Sequence, residues 1–278
     1  MSLRFTKMEG CGNDYVYVEL FTQRLDLARA PALARAISDR HFGVGGDGLI
    51  LVAPEPGASG RMIMFNQDGS RGRMCGNGIR CVARLLHDRG LASGSLLTIA
   101  TDAGPRAVRL HQGDAQRVAT VAMGQPEFLP ERIPAREAVT SLTVLERTFP
   151  VTALSMGNPH CVVFLEEDLD AFAVERFGPA LAQHPVFPEG TNVEFVAVVD
   201  RTTLAQRTWE RGSGETLACG SGACAAVVAG VQGGRLQAGV EALVRLRGGS
   251  LGVRWAADGV HLTGPARPVF DGVWTDRA

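Results

Sequence analysis

Lysine is nearly missing from this chain: Lys7 is the only one among 28 basic residues. An amino-acid enzyme built on pyridoxal phosphate needs a lysine to hold the cofactor as a Schiff base. A single candidate, on a strand-like N-terminal segment, favours cofactor-free chemistry for any amino-acid substrate. Net charge is also small, −1 in formal terms. No basic stripe with interleaved aromatics appears, which argues against nucleic-acid binding. No apolar run is long enough to span a bilayer; the longest, Leu217 to Val231, is short and glycine-rich. Met1-Ser2-Leu3-Arg4-Phe5 lacks the apolar region of a signal peptide. There is no Cys-x-x-Cys pair, and the cysteine spacing fits no usual zinc pattern. We therefore expect no metal, no membrane association, and reduced thiols in a cytoplasmic protein.

What the chain does have is a repeat. Arg73-Met74-Cys75-Gly76-Asn77-Gly78 and Leu217-Ala218-Cys219-Gly220-Ser221-Gly222 each set a cysteine before Gly-x-Gly and run into an apolar, helix-like stretch. The two cysteines are 144 residues apart in a chain of 278. Asn66 maps onto Glu210 and Gly48 onto Asn192 at the same offset, and Asn13 onto Asn158 at 145. Such duplication predicts an α/β (α+β) protein of two pseudo-symmetric lobes, 1–123 and 124–265, with 266–278 available to complete the first. Hydrophobic residues make up 45% of the chain, enough for a core in each lobe. Each lobe reads as strand-rich, with one very apolar helix wrapped by its own sheet.

In the first lobe the expected strands are 3–8, 14–20, 48–52, 62–65, 97–101, 107–110 and 118–123, with helices over 31–40 and 77–88. The proline-bearing segment 124–150 reads as a crossover. The second lobe repeats the plan, with strands at 160–165, 192–199, 204–209, 242–246, 250–255 and 260–263. Its helices are expected over 169–177 and 221–232. Gly43-Val44-Gly45-Gly46-Asp47-Gly48 matches Gly-x-Gly-x-x-Gly but precedes a strand-like run, so it reads as a turn or a substrate-lining loop and not a dinucleotide fingerprint.

The duplicated turn has a specific chemistry. Glycines let the backbone bend tightly and expose its amides. Free N–H groups at a helix start hold an anion such as a carboxylate and stabilise a thiolate. Two such starts facing each other would clamp one carboxylate with a sulfur on each side of the neighbouring carbon. The isolated Cys11, Cys81, Cys161 and Cys224 read instead as small core residues. Around the thiols, His160 and Glu210 are candidates to tune them, and Arg211 to read a carboxylate with its planar fork. Asn13, Asn66, Asn158 and Asn192 are turn residues or hydrogen bonders for a substrate's charged ends.

These motifs together resemble the diaminopimelate epimerase family. The resemblance runs nearly the full length, through Lys7–Asp14, Phe65–Ser70, Met74–Arg80, Gly157–His160, Gly190–Phe195 and Glu210–Gly220. It implies two α/β lobes with the site between them, no cofactor, a small-molecule substrate, and interconversion of LL- and meso-diaminopimelate. It also implies roles by position. Cys75 and Cys219 are the acid/base pair, assisted by His160 and Glu210. The amides of Gly76, Asn77, Gly220 and Ser221 hold the reacting carboxylate. Asn13, Asn66, Asn158, Asn192, Glu210 and Arg211 line the substrate. The chain departs from the family pattern at Glu9, Cys11 and Gly48, where many members carry glutamine at the last, and Ser221 stands for threonine. Other readings are a racemase of the same fold for another amino acid, a non-catalytic amino-acid-binding protein, or a cysteine hydrolase using His160. The oligomeric state is open, with a homodimer allowed.

Overall fold

The computed structural model describes residues 2–111, 113 and 117–275. It divides into two compact units: residues up to Ala122 together with those from Thr263 onward, and Met123–Leu262. In the first unit the elements are β1 (Ser2–Gly10), β2 (Asn13–Glu19), α1 (Ala30–Ser38), β3 (Gly48–Ala53), β4 (Gly60–Asn66), β5 (Arg71–Gly72), α2 (Gly76–Asp88), β6 (Leu96–Ala100), β7 (Arg106–Leu110) and β8 (Val118–Gly124), whose last residues enter the second unit. β1 and β2 form an antiparallel hairpin closed by Cys11 and Gly12, both at positive φ (58° and 79°). This is the two-residue turn whose twist matches that of the strands. β2 then pairs parallel with β3, β3 antiparallel with β4, and β4 parallel with β6.

Side-chain alternation along these strands sorts two faces. Val16, Val18, Leu49, Leu51, Ile63 and Phe65 pack with Ala30, Leu33, Ala34 and Ile37 of α1, which recur at helical spacing. The opposite face, including Ile50 and Met62, meets the start of α2. That helix is buried from Gly76 through Leu86 and packs against β1, β2, β4, β6 and β7. Strands covered on both faces read as continuous apolar runs, as in Gly48-Leu49-Ile50-Leu51-Val52.

The second unit begins with a hairpin absent from the first, β9 (Ser141–Val144) and β10 (Arg147–Pro150). It continues with β11 (Thr152–Ser155), β12 (Pro159–Phe164), α3 (Val174–Ala182), β13 (Asn192–Asp200), β14 (Thr203–Glu210), β15 (Gly214–Thr216), α4 (Gly220–Gln232), β16 (Ala242–Leu246), β17 (Gly249–Ala256) and β18 (Gly259–Pro265), which re-enters the first unit. The pairing senses repeat those of the first unit: β12 parallel with β13, β13 antiparallel with β14, β14 parallel with β16. α4 is apolar all round and packs against β11, β12, β13, β14, β16 and β17. β19 (Arg267–Thr275) lies antiparallel to β1, within the first unit. The last residues of the expected 266–278 return, 276–278, lie outside the described residues.

Besides strands β5, β11, β15 and β19, which the sequence reading did not place, the structure departs from it at two places. The segment 124–150 carries the β9–β10 hairpin, which places Leu142, Val144 and Phe149 in the second unit's core. Its turn residues Leu145 and Glu146 both have positive φ (49° and 64°), so none of the usual Asn-Gly signal marks it. The helix expected over 169–177 is Val174–Ala182, with Pro179 inside it. Gly178 there is a packing residue and not a stop: a Cβ on it would lie 2.7 Å from the Trp209 ring. Leu169 and Phe172 reach the same core from the irregular segment before the helix.

That segment is held by Arg207 of β14. Its Nε and Nη2 donate to the two carboxylate oxygens of Glu215 at 2.7 and 3.0 Å. Its Nη1 donates to the carbonyls of Leu169, Asp170 and Phe172. The guanidinium holds the Glu215 carboxyl below its usual range. A depressed folded pKa means this stabilisation is complete above the unfolded glutamate value, about 4.3, and is lost as pH falls through the folded value. Arg207→Met should lower the unfolding free energy near neutrality by about 2–3 kcal/mol, the scale for hydrogen bonds to charged groups. The gap to the native protein should narrow in acid, and denaturant titrations at the two pH values check both.

Candidate active site

Each unit builds a half-site at the start of its buried helix. Cys75 caps α2 in an extended conformation, and the Gly78 N–H donates to its Sγ at 3.3 Å. Cys219 caps α4 in the same way, receiving the Gly222 N–H at 3.4 Å. Gly76 and Asn77, like Gly220 and Ser221, occupy the first turn, where backbone N–H groups lack intrahelical acceptors. The glycine three residues past each cysteine is a requirement of packing. A Cβ on Gly78 would lie 2.7 Å from Ile50 Cδ1, and one on Gly222 would lie 2.6 Å from Glu194 Oε1.

In the first half-site Asn13 joins Cys75. The Cys75 thiol donates to Asn13 Oδ1 at 3.3 Å, while Asn13 Nδ2 donates to Asp47 Oδ2 at 2.7 Å. Asp47 also accepts the Asp14 N–H and an Arg40 bond, so the amide is fixed between a carboxylate and the thiol. Burial, then the charge of Asp14, pushes the Asp47 carboxyl up. The lone lysine belongs to this cluster: Lys7 Nζ contacts the Asp14 carboxylate and donates to the Gly45 carbonyl. Arg80, fully buried, donates to the Gly76 carbonyl at 3.1 Å and to Asn77 Oδ1 at 2.9 Å, bracing the first turn of α2. Asn66 closes its own turn, donating to Ser70 Oγ at 2.9 Å. Gly48, opposite Asn66 in the β3–β4 register, has no room for a side chain, since a Cβ would lie 2.1 Å from the Phe65 carbonyl oxygen.

The second half-site is more polar. His160 and Glu194 are both 0% exposed, with His160 Nδ1 2.8 Å from Glu194 Oε1. His160 Nε2 lies 3.0 Å from Asn158 Oδ1. Asn192 is engaged by backbone, donating to the Pro159 carbonyl at 3.1 Å and accepting the Arg211 N–H at 2.9 Å. Glu210 accepts from Thr216 Oγ1 at 2.6 Å. The Arg211 side chain is exposed and donates to the Glu189 carbonyl. Ser221 Oγ is 3.6 Å from Cys219 Sγ. Sequence reasoning missed Glu194. Its signal is a charged residue within the apolar strand Asn192-Val193-Glu194-Phe195-Val196, at a position where the first unit carries Ile50. Among the described residues, no three His, Cys, Asp or Glu side chains converge as a metal site, and no helix is long and apolar enough to cross a membrane.

The helix start was expected to favour a thiolate, with one cysteine acting as thiolate and the other as thiol; at Cys219 burial, then Glu210, then Glu194, raise the pKa well above its usual value. The Gly222 N–H and the Ser221 hydroxyl pull the other way without overcoming this. Cys219 is therefore a thiol at neutral pH. Burial likewise raises Cys11, Cys161 and Cys81, the last to about 12. Cys75 is half-buried. At neutral pH iodoacetamide should modify the half-buried Cys75 at least about tenfold faster than Cys219, which is buried and held as the less reactive thiol. Peptide mass mapping over a time course checks this, and equal rates would count against the assigned protonation of Cys219.

Comparison with known proteins agrees with this architecture. The sequence pattern described as diaminopimelate epimerase matches residues 5–129 and 152–269. A diaminopimelate epimerase of Desulfovibrio desulfuricans is 47% identical, covering 98% of this chain and 98% of its own. One from Acetivibrio thermocellus is 44% identical over 97% and 98% of the two chains. Among solved structures, a probable proline racemase of Agrobacterium radiobacter superposes with a TM-score of 0.75 at 14% identity, over 99% of this chain and 93% of that one. A Bacillus anthracis phenazine biosynthesis protein of the PhzF family gives 0.69 at 18% identity, over 99% and 100%. At such low identity these two show a shared fold. With close relatives matched end to end, the chain belongs to the diaminopimelate epimerase family.

Proposed function

We propose that this protein is a cofactor-independent isomerase that interconverts LL- and meso-diaminopimelate by a two-thiol mechanism, serving lysine and peptidoglycan synthesis. The observation that carries the reading is the duplicated thiol, one capping the buried helix of each unit with a backbone N–H donated to its sulfur. Family membership supplies the substrate. The mechanism requires both sulfurs to reach one α-carbon from opposite faces. A thiolate removes the α-proton, and the other cysteine delivers its thiol proton to the opposite face. One C–H bond breaks, one forms, and the enzyme emerges with its two sulfur protonation states exchanged. First-turn amides of α2 and α4 stabilise the carboxylate of the carbanion-like transition state.

In this scheme Cys219, held as a thiol by burial and by Glu210 and Glu194, starts as the proton donor. Lys7, ion-paired with Asp14, is not free to carry an imine. Six free cysteines suit a reducing compartment, and we place the reaction in the cytoplasm. In deuterated water the protein should exchange the α-hydrogen of diaminopimelate while leaving proline and histidine untouched. Cys75→Ala and Cys219→Ala should each lower epimerisation by about 10²–10⁴-fold with folding retained. Near-native turnover in either variant would falsify the two-thiol scheme, and exchange of proline or histidine in place of diaminopimelate would reassign the substrate.

A further inference from the structure

The two half-sites are copies in fold but not in what lies beneath them. At matched positions 144 residues apart, the first unit places Ile50 and Met62 under Gly78, and the second places Glu194 and Gln206 under Gly222. Since the first copy packs well with apolar residues, the fold does not need the second copy's carboxylate. Burying one without a compensating charge is costly, and a well-packed apolar side chain does as well or better. Glu194 therefore has another use.

Its hydrogen bonds indicate what that is. Both ring nitrogens of His160 face oxygen acceptors, Glu194 Oε1 at 2.8 Å and Asn158 Oδ1 at 3.0 Å. A neutral imidazole has one N–H and one acceptor nitrogen. Two oxygens can be met only if the buried pair holds one further proton, as imidazolium with carboxylate or as neutral imidazole with protonated Glu194. In both forms Nε2 carries a hydrogen and the pair is net neutral, which suits complete burial. Asn158 Oδ1 must then accept, and the half-buried Asn158 turns its Nδ2 hydrogens outward, where no hydrogen bond holds them among the described residues.

We propose that Glu194 is a positioning residue of the second half-site: through His160 it fixes the Asn158 amide so that its N–H donors meet a substrate carboxylate. The role in substrate binding rests on the epimerase reading; the proton placement does not. If Glu194 were replaced by the Ile found in the first copy, His160 could adopt the Nδ1–H tautomer, and Asn158 would turn its carbonyl toward the same carboxylate.

Two measurements test this. In the 15N-labelled full-length protein without substrate, long-range 15N–1H correlation should show a proton on His160 Nε2 at neutral pH, with His160→Gln for assignment. An unprotonated Nε2 overturns the proposal, whether or not the protein proves to be an epimerase. In steady-state kinetics Glu194→Ile should raise KM about tenfold or more, the loss of one hydrogen bond to a charged group, with a smaller change in kcat. A folded Glu194→Ile protein with native KM overturns it as well. Should that variant fail to fold, the nitrogen spectrum of the native protein decides.

Discussion

The structure depends on how closely the start of a buried helix approaches a central strand. In each unit a helix enclosed by sheet begins where a Cβ would press on a strand side chain, at Gly78 2.7 Å from Ile50 Cδ1 and at Gly222 2.6 Å from Glu194 Oε1. That approach brings the helix's free amides and its capping sulfur to the strand ends, where the loops carry Asn13 and Asn158. The cysteine is well matched to this place. Its sulfur accepts a backbone N–H as serine or aspartate would in a cap, and it remains available for proton transfer. Structure and chemistry therefore use the same atom.

Given that frame, the copies differ in polarity. Beneath α2 lie Ile50 and Met62, and the Cys75 thiol donates to Asn13 Oδ1. Beneath α4 lie Glu194 and Gln206, and burial, then Glu210, then Glu194, raise the pKa of Cys219. A reaction that needs one acid and one base is served by this inequality. In the two-thiol scheme proposed above, two identical half-sites would have to break symmetry at each encounter with substrate, whereas unequal surroundings distinguish donor from acceptor.

Much of this was readable in the sequence because the repeat is nearly free of insertions. The offset of 144 that links Cys75 to Cys219 also links Gly48 to Asn192, which open β3 and β13, and Asn66 to Glu210, which close β4 and β14. Strand positions followed from runs such as Gly48–Val52, and both buried helices from their apolar length. The β9–β10 hairpin was hidden because its turn uses Leu145 and Glu146 at positive φ, where glycine or asparagine would have announced it. The helix at Val174–Ala182 was misplaced because Gly178-Pro179 imitates a stop, though the glycine serves the Trp209 contact. In the site, residue types were legible but directions were not. Asn192 was grouped with Asn13 as a candidate substrate contact, yet its amide ties the Pro159 carbonyl to the Arg211 backbone. Glu194 was invisible to motif reading because its importance lies in what it faces.

The two asparagines that head the half-sites show what the unequal surroundings accomplish. A carboxylate such as Asp47 only accepts, so Asn13 must present its Nδ2 to it, and its Oδ1 is the end turned toward Cys75. Around Asn158 the proposed order is reversed: with a hydrogen on His160 Nε2, Oδ1 accepts and Nδ2 is the end left outward. One copy thus displays an acceptor and the other a donor, from the same residue at related positions. An α-amino acid carries an ammonium group that donates and a carboxylate that accepts, both on the carbon whose configuration changes. A symmetric pair of amides would suit one of those groups and oppose the other. In the proposed scheme, opposite displayed ends let each unit serve a different group of the amino acid, one ammonium and the other carboxylate. Duplication supplied two thiols; the half-buried Asp47 facing Asn13 and the buried Glu194 acting on Asn158 through His160 made the copies unlike.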